Sequence, residues 1–235
     1  MTWLAGPLLG FDTETTGVNV FTDRIVTAAL VSSGAEGEEV RTWLIDPGVE
    51  IPAGASAVHG ITTAHARAHG RPPREALEEM SQQLYRALAA GVPVVGFNIN
   101  FDLTLLEAEL ARHGLPTLAA QLGGPIAPVV DPLVLDRGLD RYRRGKRTLE
   151  HLCTHYGVTT GDLHDAGEDV QATLGVLRAL GAKFPEISGI SPAELHTWQV
   201  GKHREWAENF NEWRRSKGLE GPGATAEWPV QAAPA

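Results

Sequence analysis

The chain has 235 residues, of which 43% are hydrophobic, and it carries a formal net charge of -9. Its length suits one substantial domain with an extension, and its composition excludes a wholly disordered chain. A single cysteine, Cys153, excludes an intrachain disulfide, fits a reducing cytoplasm, and is expected to be a small buried residue in a helix. No segment resembles a signal peptide or is apolar for long enough to span a bilayer, so we expect a cytoplasmic protein without a membrane partner.

The first part of the chain predicts three strands. Residues 4–11 are apolar, residues 24–31 are rich in Val, Ile and Ala, and residues 39–45 alternate between apolar and polar side chains. Short loops join these segments, so the pattern indicates an antiparallel meander, which ends at Asp46-Pro47-Gly48.

Helices and strands alternate in the rest of the chain. A 3.6-residue apolar period predicts a helix over residues 74–90. Further helices are expected over residues 100–113, 148–156 and 168–180. Residues 92–97 predict a short buried strand, and residues 129–135 predict a strand or a mixed segment. A meander followed by this alternation indicates an α/β sheet with helices packed on it.

A second unit begins with Ser191-Pro192-Ala193-Glu194, a capping box with Pro at the first helical position. We expect a domain over residues 1–185, an amphipathic helical extension over residues 186–218 and a flexible tail over residues 219–235. The extension carries Trp198, Trp206, Phe210 and Trp213 close to one face. This aromatic face either packs on the domain or docks a polymerase or a second copy of the chain.

Two carboxylates stand one residue apart after the first apolar segment, in Phe11-Asp12-Thr13-Glu14-Thr15-Thr16-Gly17. Residues i and i+2 of a strand point to the same side, so Asp12 and Glu14 would lie next to each other at the end of that strand. Adjacent carboxylates repel each other unless a proton or a cation lies between them, and hard oxygen ligands suit Mg²⁺ or Mn²⁺. A polar hairpin turn would also explain the pair, so the interpretation depends on carboxylates downstream.

One downstream carboxylate is Asp102, which follows Asn98-Ile99-Asn100-Phe101 in the first turn of a predicted helix. An ordinary carboxylate stabilised by the helix dipole would also explain it. Another is Asp169, which shares a helix face with Thr173, Val176 and Leu180 and would point toward the sheet. A core-facing Asp needs a partner, and a metal ion would supply one.

The segment before Asp169 holds a histidine and a capping signal. Asp165 and Glu168 have the spacing of an Asp-x-x-Glu capping box, which by itself explains both residues. His164 precedes them in the loop, either as an exposed polar residue or as a proton acceptor beside the site.

Taken together, these segments resemble the three motifs of the histidine-containing (DEDDh) 3′–5′ exonucleases of the DnaQ-like superfamily, which includes the proofreading subunit of bacterial DNA polymerase and RNase T. The motifs are Phe-Asp-Thr-Glu-Thr-Thr-Gly, Asn-x-x-Phe-Asp ending at Asp102, and His-x-x-x-x-Asp from His164 to Asp169. Val58-His59-Gly60-Ile61-Thr62 matches another common element of the group. The resemblance implies a ribonuclease-H-like fold, a mixed five-stranded sheet flanked by helices.

The resemblance also implies a role for individual residues. Asp12, Glu14, Asp102 and Asp169 would hold two divalent cations, Mg²⁺ or Mn²⁺, and His164 would be the general base. The substrate contacts that it implies come from Thr13 and Glu14 near the terminal nucleotide, from His59 and Phe101 on the terminal bases, and from Asn98 in an orienting role.

The implied reaction is hydrolysis of phosphodiester bonds from the 3′ end of single-stranded DNA, or of frayed and mismatched ends, with release of nucleoside 5′-monophosphates. An RNA-directed exonuclease of the same family is the alternative, because no residue shows how a 2′-hydroxyl would be sensed. A non-catalytic nucleic-acid-binding module is a third possibility, although all four carboxylates and the histidine are present.

The acidic net charge does not favour nucleic-acid binding, but six basic residues lie within eleven positions between Arg137 and Arg147. Arg143, Arg144 and Lys146 are candidates for phosphate contacts. A solvated helix face or loop would explain the same cluster.

Overall fold

The computed structural model describes residues 2–35, 37–161 and 165–233 of the chain. Five strands form one sheet: β1 (Leu8–Thr15), β2 (Ile25–Gly34), β3 (Gly37–Leu44), β4 (Val94–Val95) and β5 (Val129–Val130). The strand order is β3-β2-β1-β4-β5. The first three strands form an antiparallel meander, whereas β4 and β5 run parallel to β1. The predicted mixed five-stranded sheet is thereby confirmed.

Helices cover both faces of the sheet. In chain order they are α1 (Ala53–His59), α2 (Thr63–His69), α3 (Pro73–Ala89), α4 (Asn100–Arg112), α5 (Leu118–Leu122), α6 (Pro132–Leu139), α7 (Leu149–Tyr156), α8 (Ala166–Lys183), α9 (Pro185–Ser188) and α10 (Pro192–Ser216). Within the described ranges, no helix is both long and apolar enough to cross a membrane.

The alternating side chains of β1 divide the core into two layers. Leu9 and Phe11 pack with residues of α3 and α4, among them Leu77 and Leu106. Leu8 packs on the opposite face with residues of α8. Because side chains alternate along a strand, even-numbered residues of β1 face α8. This face therefore receives Asp12 and Glu14.

The strand boundaries differ from the sequence prediction at three places. Strand β1 begins at Leu8 rather than at residue 4 and continues to Thr15, because its pairing with β2 extends to Thr15 opposite Ile25. Asp12 and Glu14 therefore lie inside β1 rather than at its end. Strand β4 has only two residues, and residues 129–135 divide into β5 and the start of α6. Helices α1, α2 and α5 were not predicted, because they are too short to show a clear apolar period.

The C-terminal helix α10 begins with the predicted capping box between Ser191 and Glu194. Its buried face is partly polar and pairs with the open edge of β5. His196 Nδ1 accepts a hydrogen bond from the Val129 amide at 3.2 Å, and Gln199 Nε2 donates to the Val129 carbonyl at 3.1 Å. Helix α10 thus satisfies backbone groups that an edge strand would otherwise leave unpaired.

Residues 219–233 do not form the flexible tail that the sequence predicted. Trp228 is buried and its ring lies 5.1 Å from that of His196. Gln231 Nε2 donates to Asn100 Oδ1 at 2.7 Å, and Asn100 Nδ2 donates to the Glu227 carbonyl at 3.1 Å. The segment therefore packs on α4 through one large aromatic side chain and several polar contacts. The boundaries at residues 185 and 218 stay predictions.

Candidate metal centre and active site

Three carboxylates converge between β1 and α8. Ligand oxygens of Asp12, Glu14 and Asp169 all lie within 4.8 Å of one another, and the three residues are partly exposed. Asp12 and Glu14 meet because they occupy alternate positions on one face of β1. This spacing suits a shared hard cation, which oxygen ligands of this kind bind.

A glycine lets α8 come close enough to complete this group. A Cβ atom on Gly10 would lie 2.1 Å from Cγ1 of Val170, which is too close for any side chain. Gly10 precedes Asp12 on the same face of β1, and Val170 follows Asp169 on α8. The missing side chain thus allows the backbone of β1 to approach the helix turn that carries Asp169. The predicted helix face also holds, since Thr173, Val176 and Leu180 are buried.

Asp102 lies in the first turn of α4 and is only 4% exposed. Its Oδ1 accepts two hydrogen bonds from Thr13, one from the amide at 3.1 Å and one from Oγ1 at 2.6 Å. Thr13, the residue between Asp12 and Glu14, points to the other face of β1. It therefore ties the fourth predicted carboxylate to the strand that carries two of the others.

The carboxylates repel one another and are poorly solvated. Burial raises the pKa of Asp12 well above its usual range, and the charges of Asp102, Asp169 and Glu14 raise it further. Burial raises the pKa of Glu14 to about 7, with a further contribution from Asp169. Burial also raises the pKa of Asp102 to about 7, although the hydrogen bonds from Thr13 oppose the change. Such a group binds protons or cations strongly at neutral pH.

A cavity of about 450 Å³ opens beside these residues. Its walls include Asp12, Asp102, Asn98 and Phe101, four of the residues predicted to act on substrate or metal. Asn98 is exposed and has a φ of 57°, in the left-handed region. The structure thus brings these predicted residues around one space.

A carboxylate that sequence reasoning missed holds the turn at Asn98. The two oxygens of Asp131 accept hydrogen bonds from the amides of Asn98 at 3.1 Å and Ile99 at 3.2 Å. Asp131 also caps α6 by accepting from the Leu133 amide at 2.9 Å, and its own amide donates to Gln199 Oε1 at 2.8 Å. The Asp-Pro pair at the start of α6 was the signal for this cap.

His59, a predicted substrate contact, lines a different cavity from this one. His59 is partly buried and lines a smaller space of about 180 Å³, together with Asp165 and Gly167 at the start of α8. Its Nδ1 accepts a hydrogen bond from the Ile61 amide at 3.2 Å, and burial lowers its pKa. His164 lies outside the described residues, so its role as general base stays a prediction. Asp165 does cap α8, by accepting from the amides of Gly167 and Glu168.

The basic cluster divides between internal and exposed residues. The carboxylate of Asp136 is fully buried and binds the guanidinium groups of Arg143 and Arg147. The Tyr156 hydroxyl donates to the same carboxylate at 2.6 Å. Arg143 thus has a structural partner that the sequence did not reveal, whereas Arg144 and Lys146 are exposed. The phosphate contacts predicted for these residues stay predictions.

Cys153 is a buried helical residue, as predicted. Cys153 lies in α7, is 2% exposed and forms no disulfide.

A family model for exonucleases, described as RNase_T, matches residues 9–177 of this chain. The chain belongs to this exonuclease family. The match covers β1 through most of α8, the part that holds all four carboxylates. It confirms the DnaQ-like family that the three sequence motifs indicated.

Curated relatives and solved structures agree with this assignment. The chain is 32% identical over 165 residues to the PolC-type DNA polymerase III of Streptococcus thermophilus, a match that covers 69% of this chain and 10% of the polymerase. Exonuclease I of E. coli in complex with a dA16 oligonucleotide superposes with a TM-score of 0.67 at 22% identity, over 85% of this chain and 44% of that one. Exonuclease I of Methylocaldum szegediense gives a TM-score of 0.63 at 24% identity, over 85% of this chain and 43% of that one. The chain therefore spans about a tenth of the polymerase and less than half of each exonuclease I chain.

Proposed function

We propose that this protein is a divalent-metal-dependent 3′–5′ exonuclease that removes nucleotides from single-stranded or frayed DNA ends. The observation that carries the proposal is the convergence of Asp12, Glu14 and Asp169 within 4.8 Å, beside a cavity that also exposes Asp102. The family assignment independently favours nuclease chemistry.

The donor set suits divalent cations. Asp12, Glu14, Asp102 and Asp169 offer only carboxylate oxygens, the ligands that Mg²⁺ and Mn²⁺ prefer. Burial, together with repulsion from neighbouring carboxylates, raises the pKa values of Asp12, Glu14 and Asp102, and a bound cation would offset both effects. Two such ions, when bound, would activate water and stabilise the leaving oxygen of a phosphodiester.

The other residues would position the reactants. Thr13 fixes the carboxylate of Asp102 through its two hydrogen bonds. Asn98 and Phe101 line the cavity in which a 3′-terminal nucleotide would lie, and Phe101 offers a ring for base stacking. We assign His164 as the acceptor of the proton from the attacking water, at a ring nitrogen.

The relatives favour DNA over RNA as the substrate class. One is a DNA polymerase, and the exonuclease I structures include complexes with dT13 and dA16 oligonucleotides. A polymerase partner, a second copy and a cytoplasmic location stay predictions.

A substrate panel tests the proposal. Protein with Mn²⁺ or Mg²⁺ is incubated with 5′-labelled single-stranded DNA, with a duplex that has a mismatched 3′ end, and with RNA of the same sequence. We expect a ladder of shortened strands from both DNA substrates and slower degradation of RNA. Faster degradation of RNA would assign the protein to exoribonucleases, and no degradation of any substrate would refute the proposal. Glu150→Gln, at an exposed position of α7, is the matched control for carboxylate variants.

A further inference from the structure

A second cavity adjoins the active-site cavity. It has a volume of about 410 Å³ and lies between α6 and α10. Arg137 and Arg147 line both spaces, so the two cavities share a wall of basic side chains. Helices α6 and α10 meet closely here, because a Cβ atom on Gly138 would lie only 2.5 Å from the ring of Trp198.

Arg137 has an unusual environment. Its guanidinium carbon lies 3.7 Å from the ring centroid of Trp206, and the group forms no hydrogen bond with the described part of the chain. Arg147, its neighbour in the shared wall, instead donates to Asp136. Burial lowers the pKa of Arg137 to about 10, so its side chain is still charged near neutral pH. Arg137 thus presents a charged group that an aromatic ring holds in place and whose donors have no hydrogen-bond partner among the described residues, although the carboxylates of Asp131 and Asp136 stabilise its charge.

The surrounding side chains are basic and aromatic although the whole chain is acidic. Four basic residues and one acidic residue line the second cavity. Arg141 and Lys202 both pair with the acidic one, Glu205, which leaves the space with an excess of positive charge. An aromatic row follows along α10, where the ring of Phe210 lies 5.5 Å from Trp206 and 5.8 Å from Trp213.

We propose that the cavity between α6 and α10 binds the single strand on the 5′ side of the bond that is cut, and that Arg137 binds one of its backbone phosphates. The proposal rests on the proposed function, because it takes the 3′ end to lie at the carboxylates. A strand that enters there continues past Arg137, which with Arg147 lines both cavities. Phosphates match the fork of guanidinium donors, and bases match the aromatic row.

The proposal makes hydrolysis depend on strand length. A dinucleotide offers only the scissile phosphate, whereas a strand of about twelve nucleotides also fills the second cavity. The readout is the ratio of kcat/KM for the long strand to kcat/KM for the dinucleotide. We expect Arg137→Gln to lower this ratio about tenfold or more, as for the loss of a charge-assisted hydrogen bond. We also expect the logarithm of the long-strand binding constant to depend less steeply on the logarithm of salt concentration. The loss of one phosphate contact should reduce that slope by about 0.7.

A second variant tests the proposal if Arg137→Gln does not fold, and a third is the control. Arg141→Gln with Lys202→Gln changes exposed or partly exposed residues that, among the described residues, form an ion pair only with Glu205, and it should lower the same ratio. Arg204→Gln removes one positive charge from an exposed position of α10 outside both cavities, and it should leave the ratio unchanged.

The outcomes separate this inference from the proposed function. Unchanged length dependence in folded Arg137→Gln and in the double variant would overturn the inference while leaving the exonuclease intact. A concentration-dependent dimer lost in these variants, with the same length dependence, would assign the cavity to a second copy and also overturn it. A wild-type protein that hydrolyses neither substrate with Mn²⁺ would refute the proposed function itself.

Discussion

Thr13 Oγ1 donates a hydrogen bond of 2.6 Å to Asp102 Oδ1, and so joins the first strand to the fourth carboxylate of the site. Thr13→Val keeps the shape of the side chain and the backbone bond but removes this donor. Loss of a partner that orients a metal ligand should raise the Mn²⁺ concentration for half-maximal activity about tenfold. Thr13→Ser restores the donor and should restore metal affinity. Titration of activity with Mn²⁺ measures the change, and an unaltered curve in Thr13→Val would contradict an orienting role.

The carboxylate cluster makes stability depend on pH when no metal is bound. Because the folded-state pKa of Glu14 and of Asp102 is about 7, and that of Asp12 is raised well above its usual range, the folded protein retains protons that the unfolded chain has released above about pH 4. Stability contributed by these groups is therefore lost as pH rises from about 4 toward 7 and above. We expect Tm in a chelator to be at least about 5 °C lower at about pH 8 than at about pH 5.

Divalent cations and Asp12→Asn should both remove this pH dependence. Mn²⁺ compensates the charges and should raise Tm more at about pH 8 than at about pH 5, where protons compete with it. Asp12→Asn relieves the repulsion and should be more stable than wild type at the higher pH without metal. A flat Tm profile in wild-type protein, or the same Mn²⁺ response in Asp12→Asn, would argue against a shared metal site.

Asp131 accepts three backbone hydrogen bonds, two from the Asn98 and Ile99 amides of the turn beside the cavity and one from the Leu133 amide at the start of α6. Asp131→Asn replaces two acceptor oxygens with one, so at least one buried amide loses its acceptor. We expect a loss of about 2 kcal/mol in the free energy of unfolding, together with lower activity, because the turn borders the cavity. Asp46→Asn, at a partly exposed turn where Asp46 accepts from the Gly48 amide, is the control. Equal urea midpoints for both variants would contradict this role.

Arg143 and Arg144 provide a direct comparison between a buried and an exposed arginine. Arg143 pairs with the fully buried Asp136, so Arg143→Gln should destabilise the protein by about 3 kcal/mol. Arg144→Gln should change stability by less than about 0.5 kcal/mol. Urea denaturation of both variants measures the difference. Similar values for the two would mean that the ion pair in the basic cluster contributes little.

The approach of Asp12, Glu14 and Asp169 was predictable in part, because each of these carboxylates follows a local rule. Asp12 and Glu14 share a strand face by the two-residue period, and Asp169 points to the sheet by the helical period. The convergence of the three was predictable only through the order of the family motifs. The distance between them depends on Gly10, whose contact with Val170 is a tertiary feature.

Features that depend on distant partners were not predictable in the same way. No sequence pattern distinguishes Arg137 from Arg143 as a phosphate contact, because Arg143 pairs with Asp136 only in the folded chain. The polar residues His196 and Gln199 belong to no apolar pattern, because their role is to bond the backbone at the open edge of β5. Trp228 lies in a stretch rich in Gly, Pro and Ala, a composition that suggested a loose tail.

We propose that Asp12, Glu14, Asp102 and Asp169 form a metal-dependent nuclease site. The most direct test is release of mononucleotides from 3′-labelled single-stranded DNA by wild-type protein and Asp12→Asn, each with Mn²⁺ and with a chelator. We predict release only by wild-type protein with Mn²⁺, and a loss of roughly a thousandfold or more in Asp12→Asn. Equal release by the folded variant, or release in the chelator, would refute a metal-dependent site at these carboxylates.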